Sequence, residues 1–160
     1  MPPETSGRLR IGAVKLLPIV ALTLATTASP VMAQDHVVTL DHRSGSVEAR
    51  YRGAVMVTHR QIGAVAPGGR ASTLRCTWHA DLAVTREARG TVGIAASRSF
   101  GRDGLFAGSR PGWCDTARRA IADEVASRAG EVDTHLRALA QEDHAPLRAE
   151  LDRLHAGIGA

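Results

Sequence analysis

Cys76, Trp78, His79 and Asp81 stand within six positions of one another in the stretch STLRCTWHADLAV, Ser72 to Val84. Residues of these types build zinc sites and nucleophilic catalytic centres. A thiolate, an imidazole and a carboxylate supply three metal ligands, or a nucleophile with its base and the group that orients it. Either chemistry requires the three to converge. The pattern around them argues against convergence, because Leu74, Cys76, Trp78, Ala80, Leu82 and Val84 alternate with Arg75, Thr77, His79 and Asp81. Strict alternation marks a half-buried β-strand, and successive side chains on a strand point to opposite faces. The cluster therefore splits, with Cys76 on the apolar side and His79 and Asp81 on the polar side. His79 and Asp81 remain as a base and its orienter for a hydrolase. No serine, second cysteine or glycine-rich elbow accompanies them, so a solvated surface pair is the simpler reading.

The elements that position these residues follow from the same periodicity. From Val37 to Phe100 the chain alternates, with turn signals between the runs, which predicts an antiparallel β-meander. VVTL is a first strand, RSGS (Arg43 to Ser46) a turn, and Val47 to Val65 a long second strand. APGG (Ala66 to Gly69) supplies the clearest hairpin signal, since proline presets φ and glycine accepts positive φ. A hairpin centred on Pro67-Gly68 sets Cys76 opposite His59 and Trp78 opposite Val57. Val47, Ala49, Tyr51 and Val55 then share the core face with Leu74, Ala80, Leu82 and Val84. Arg50, Arg52, Arg60 and Arg75 lie on the outer face with Thr77, Met56 and Ala54, a candidate anion-binding surface. His59, alone on the apolar side, reads as a structural histidine. A fourth strand, TVGIAASRSF, carries Val92, Ile94, Ala96 and Phe100 in phase, with Gly90 as the left-handed loop residue and Phe100 placed beside Cys76.

The segment FGRDGLFAGSRPGW has glycines at 101, 104, 108 and 112. It lacks the Gly-Lys-Ser/Thr ending of a phosphate loop and reads as a mobile connector. Leu105 and Phe106 form an edge strand or a lid there, and Arg102 and Arg110 offer a further anion-binding reading. From Trp113 the period becomes helical, with Ala117, Ile121, Val125, Val132, Leu136 and Leu139 in one stripe. Arg119/Asp123, Glu124/Arg128 and Asp133/Arg137 have the spacing of supportive surface pairs. Ala129-Gly130 marks an interruption. QEDHAP connects to a last helix with Leu147, Leu151, Leu154 and Ile158 in phase and Pro146 in its first turn. Such stripes cover a sheet or one another, and the last one also offers a surface for self-association or a protein partner. The predicted fold class is α+β: an antiparallel meander of four to five strands over about 37–107, one face covered by a C-terminal helical hairpin over about 112–158.

Residues 1–33 read as a cleaved Sec-type signal peptide, not as part of the fold. Arg8, Arg10 and Lys15 precede the short apolar run Leu16 to Thr27, and Val31 and Ala33 occupy the positions a signal peptidase reads. The run is too short to span a bilayer and is followed by Pro30. Residues 34–160 then form a single domain, exported to the periplasm or beyond the cell, without a membrane span. In an exported chain the only two cysteines, Cys76 and Cys114, pair most simply as a disulfide, worth about 4 kcal/mol for a loop of this length.

The formal charge of the whole chain is +4, and Lys15 is its sole lysine. Beyond the leader the balance is closer to neutral, too weak a bias for a nucleic-acid partner. Abundant arginine without asparagine fits GC-rich coding. The seven histidines show neither His-x-His nor His-x-x-x-His spacing, so neither metal nor another cofactor is indicated. Three function classes remain: a non-catalytic envelope protein acting as a binding or interaction module, a hydrolase using His79 with Asp81, and a binder of acidic envelope components through Arg50, Arg52, Arg60 and Arg75.

Overall fold

The computed structural model describes residues 32–68, 71–91 and 93–158; most of the expected signal peptide, like Gly69 of the expected hairpin turn and Val92, lies outside them. The chain forms β1 (Met32–His42), β2 (Gly45–Ile62), β3 (Arg75–Gly90), β4 (Ala95–Pro111), α1 (Cys114–Ser127) and α2 (Ala129–Ile158). The strands make one four-stranded antiparallel sheet in the order β1-β2-β3-β4. Both helices lie on one side of it, α1 over β2 and β3 and α2 across all four strands. The protein is thus an α+β meander with a helical cover. No helix among the described residues is long and apolar enough to cross a membrane.

Alternation decides what the helices cover. Val47, Ala49, Tyr51, Val55, Leu74, Cys76, Trp78, Ala80, Leu82 and Val84 are all buried. From the helices, Ala117, Ile121, Val125, Val132, Leu136, Leu139, Leu147 and Leu151 meet them in one core. Cys76 and Cys114 are joined, their sulfurs 2.11 Å and their Cα atoms 4.8 Å apart, across a sequence separation of 38. Beside this bridge Gln61 ties the start of α1 to the sheet. Its Oε1 accepts from the Cys114 backbone N–H at 2.8 Å, and its Nε2 donates to the carbonyls of Arg75 at 2.8 Å and Gly112 at 3.2 Å. One of the otherwise unpaired amides of the helix start is satisfied in this way.

Several details differ from expectation, each for a local reason. Cys76 faces Gln61 and Trp78 faces His59, a register two residues from the expected one, which keeps every side chain on its predicted face. The strands end at Ile62 and restart at Arg75, because the Thr73 amide donates to the Ala64 carbonyl and the Ala64 amide to Thr73 Oγ1, both at 3.2 Å. Pro67 and Gly68 therefore sit within a longer loop and not at a tight reversal. In the next connection the left-handed residue is Gly93, at φ 77°, and not Gly90.

The glycine-rich segment is no connector. β4 runs through it to Pro111, so Phe100 faces Val84 and Arg110 takes the place opposite Cys76. Two features hold it in the sheet. A β-bulge opens between Ala80 and Leu82, where Gly104 has φ +63° and its amide donates to Asp81 Oδ1 at 2.7 Å. Further along, the Trp78 ring lies so close over Gly108 that a Cβ there would approach it to 2.7 Å.

The helical boundaries also moved. The interruption falls at Arg128, but the QEDHAP stretch continues α2, with Pro146 inside the helix rather than opening a new one. Of the expected surface pairs, Asp133 and Arg137 meet at 2.8 Å. Glu124 instead bonds Arg110 on β4 at 2.7 Å, and Arg128 bonds Glu131 at 2.7 Å.

The bridge generates a direct prediction. Cys76→Ala, Cys114→Ala and the double variant lose similar stability in urea denaturation, about 2–5 kcal/mol. Reductant lowers the melting temperature of the wild type and leaves the double variant unmoved. Alkylation of native, unreduced protein followed by mass spectrometry finds neither cysteine modified.

Candidate functional site

The predicted site residues do not come together in one place. Cys76 is in the core with its partner Cys114. His79 and Asp81 lie on the uncovered sheet face, their side chains 52% and 30% exposed, with His79 Nε2 3.6 Å from Asp81 Oδ2. Asp81 already serves the Gly104 amide at the bulge, and no nucleophilic side chain is hydrogen-bonded to His79 among the described residues. Among the same residues no group of three or more His, Cys, Asp and Glu side chains is placed to hold a metal ion.

Arg50, Arg52, Arg60 and Arg75 do share the uncovered face, but as two distant pairs. Arg52 and Arg60 are roughly 26 Å apart along β2 at the rise of an extended chain. Around the first pair the charges alternate in sign, with Arg52 3.6 Å from Glu87 and 4.0 Å from Asp35, and Arg89 3.8 Å from Glu87. Arg50 and Arg52 border a shallow depression of about 210 Å³ together with Glu48, Glu87 and Arg89. At the other end Arg75 Nε donates to Ser109 Oγ at 3.0 Å. Arg102 and Arg110 are paired with Glu142 and Glu124 on the helices.

The strongest polar constellation lies on the covered face and went unpredicted. Arg86 follows Leu82 and Val84 in the core register of β3 and is fully buried. Its Nη1 donates to Asp143 Oδ2 at 2.9 Å, and its Nη2 bonds Glu150, both carboxylates coming from α2. Tyr51, its neighbour on β2, donates its hydroxyl to the same Asp143 oxygen at 3.3 Å, and Arg98, its neighbour on β4, donates to Asp143 Oδ1 at 3.3 Å. Burial works against the Arg86 charge, but the hydrogen bonds it donates to Glu150 and Asp143, with their charges, outweigh it and hold the guanidinium above its ordinary range. Burial, then the charge of Asp143 and its hydrogen bond, push the Tyr51 phenol well above the usual tyrosine range. Two carboxylates thus answer one buried guanidinium and one half-exposed one, closing the centre of the cluster to solvent.

Around Arg98 the cluster reaches the surface. Arg98 and Phe100 on β4 face Leu139, Glu142, Asp143 and Pro146 on α2 across a groove of about 220 Å³. A second groove of about 520 Å³ adjoins it, lined by Ser97, Arg98, Pro146, Ala149, Glu150 and Arg153. The Arg98 guanidinium stands 5.7 Å from the Phe100 ring centroid. No protein-family model matches the chain, and neither a curated protein nor a solved structure shows significant similarity to it.

The cluster and the bulge each make a testable statement. Arg86→Met alone destabilises by about 3–5 kcal/mol because it leaves Asp143 buried without its main partner, while Arg86→Met with Asp143→Leu and Glu150→Leu recovers most of that loss. Tyr51 is the only tyrosine, so absorbance at alkaline pH reports it alone. A raised folded-state pKa means that the phenol's contribution to stability is complete below about pH 10, where the unfolded chain also holds the proton, and is lost as pH rises from there. The native protein therefore keeps Tyr51 un-ionised at pH values where urea-unfolded chain has titrated, and Tyr51→Phe removes this part of the alkaline loss. Asp81→Ala costs about 1 kcal/mol by releasing the Gly104 amide, whereas His79→Ala changes stability by no more than about 0.5 kcal/mol.

Proposed function

We propose that the chain is a small, exported, non-catalytic envelope or periplasmic protein that works as a binding or protein-interaction module. The observation that carries this reading is the commitment of Asp81 to the Gly104 amide, which leaves His79 exposed beside a carboxylate already in structural use. An acid–base pair needs a substrate-sized recess and a reacting group within hydrogen-bond reach. Neither His79 nor Asp81 borders any of the grooves described above. The Cys76–Cys114 bridge supports residence in an oxidising compartment, where such bonds persist. The leader-like pattern of residues 1–33 supports the same placement.

Binding of acidic envelope components through Arg50, Arg52, Arg60 and Arg75 receives less support, since the four are split between the ends of the sheet and Glu48 and Glu87 neutralise one end. A partner surface on the last helix is reduced as well. Leu147 and Leu151 are consumed by the core, which leaves Leu154 exposed among the residues of that stripe whose side chains are described.

In-cell photocrosslinking of the tagged, exported chain, followed by mass spectrometry, tests the reading together with a panel of ester, peptide and phosphoester substrates. A single reproducible protein partner, captured equally by wild type and by the His79→Ala variant, is the expected outcome. Hydrolysis of any panel substrate by the wild type that disappears in His79→Ala overturns it in favour of an enzyme.

A further inference from the structure

β4 is an edge strand of 17 residues, so one side of its backbone meets no other strand. Open edges are templates for another chain, and proteins blunt them with prolines, lysines, bulges or covering segments. The half of β4 beyond the Gly104 bulge is blunted with a bulge and ends in Pro111, but the half from Ala95 to Gly101 contains neither proline nor lysine. Its outward residues Ala95, Ser97, Ser99 and Gly101 are small and exposed. The two grooves between this half-strand and α2 adjoin one another, sharing Arg98 and Pro146. An edge with unpaired backbone groups on one side and a groove against a helix beside it is the geometry that captures an extended peptide as an added strand.

The charges along the groove narrow the choice of peptide. Asp143 and Glu150 are turned to Arg86, and Glu142 is bonded to Arg102 at 3.2 Å. Arg98 spends one nitrogen on Asp143 and is 49% exposed, and Arg153 is exposed and makes no ion pair among the described residues. The groove therefore presents guanidinium groups whose capacity exceeds the carboxylates left to meet them. Beside them Phe100, Leu139 and Pro146 form an apolar wall.

We infer that the Ala95–Gly101 half of β4, with α2, is a docking groove for an extended segment of a partner protein that carries an acidic side chain. The segment pairs its backbone with the β4 edge as a fifth strand, sets its carboxylate against Arg98 and Arg153, and lays an apolar neighbour on Phe100 and Pro146. This deepens the module reading and rests on it. The competing role for Arg98 is protective, since a charge on the inner face of an edge strand also discourages pairing.

The test selects binders for the full disulfide-bonded protein from a phage library of short random peptides, then measures the selected peptide, synthesised with a fluorescein label, by polarisation. The expected consensus alternates in character and has Asp or Glu at one fixed position. Arg153→Glu weakens binding about ten-fold or more, the loss of a charge-assisted hydrogen bond, and Arg119→Glu on the exposed side of α1 leaves it unchanged. Arg98→Glu behaves as Arg153→Glu does; the Arg153 variant, which disturbs no bond to Asp143, is decisive if Arg98→Glu is unstable. N-methylation of every second peptide amide abolishes binding in one phase and is tolerated in the other, as strand addition requires. The groove assignment fails if no peptide is enriched, if the consensus lacks an acidic position, if Arg153→Glu binds as wild type does, if both methylation phases are equivalent, or if Arg98→Ala makes the protein dimerise through β4. A peptide that binds but ignores Arg153→Glu sinks this groove and leaves the module reading standing. Turnover of a panel substrate dependent on His79 sinks that reading itself.

Discussion

A guanidinium placed in an apolar core must be met by negative charge, and most of the packing around Arg86 is arranged to meet it. Both carboxylates come from one helix, Asp143 before Pro146 and Glu150 after it. Proline inside a helix removes a backbone hydrogen bond and crowds the preceding turn, at about 3 kcal/mol. By bonding on both sides of that weak point, Arg86 ties together the two halves of α2 that the proline loosens. It also gives the helix an axial position. An apolar stripe tolerates a slip of one turn, because leucine, alanine and valine replace one another at modest cost, but a slip here strands a buried charge at about 3–5 kcal/mol. The ring of partners extends outward through Tyr51, whose ring meets Phe100 edge-on at 6.4 Å. Polar specificity and aromatic packing are therefore parts of one assembly.

Only one side of the sheet carries this assembly. On the other, a belt of small residues, Ala33, Ala54, Ala83 and Gly101, crosses all four strands between ends that bear charged side chains. Cross-strand contacts on such a belt contribute little, and exposed ion pairs such as Arg52–Glu87 add at most about 1 kcal/mol. The strands are held chiefly from the helical side and by the bridge, which anchors the end of the sheet farthest from Arg86.

How much of this was legible depended on which physical signal carried it. The side each strand residue faces rests on alternation alone, and Cys76, His79 and Asp81 lie where alternation puts them. Register depends on how a loop closes, and the bonds between Ala64 and Thr73 have no signature that a hairpin motif supplies. The glycines of β4 were read as freedom, although Gly108 is there because Trp78 covers it and Gly104 because Asp81 holds its amide. The Arg86 cluster did leave a trace. An arginine in phase with Leu82 and Val84, and acids at 143 and 150 in phase with Leu136, Leu147 and Leu151, are charges on stripes that must be buried. The arginines of the open face show the converse limit: sharing a face says nothing about distance along it.

The disulfide and the charge cluster also differ in when they become possible as the chain emerges from its N-terminus. Everything between Cys76 and Cys114 belongs to the β3–β4 hairpin and its entry into α1, so the bridge draws on nothing beyond residue 114. Arg86 waits longer. Its counter-charges lie 57 and 64 residues downstream, beyond every strand and both cysteines. A chain that stops before Asp143 therefore holds all four strands and both cysteines but neither carboxylate that meets Arg86. The bridge needs only what such a chain already has, whereas the charge cluster needs the rest of α2.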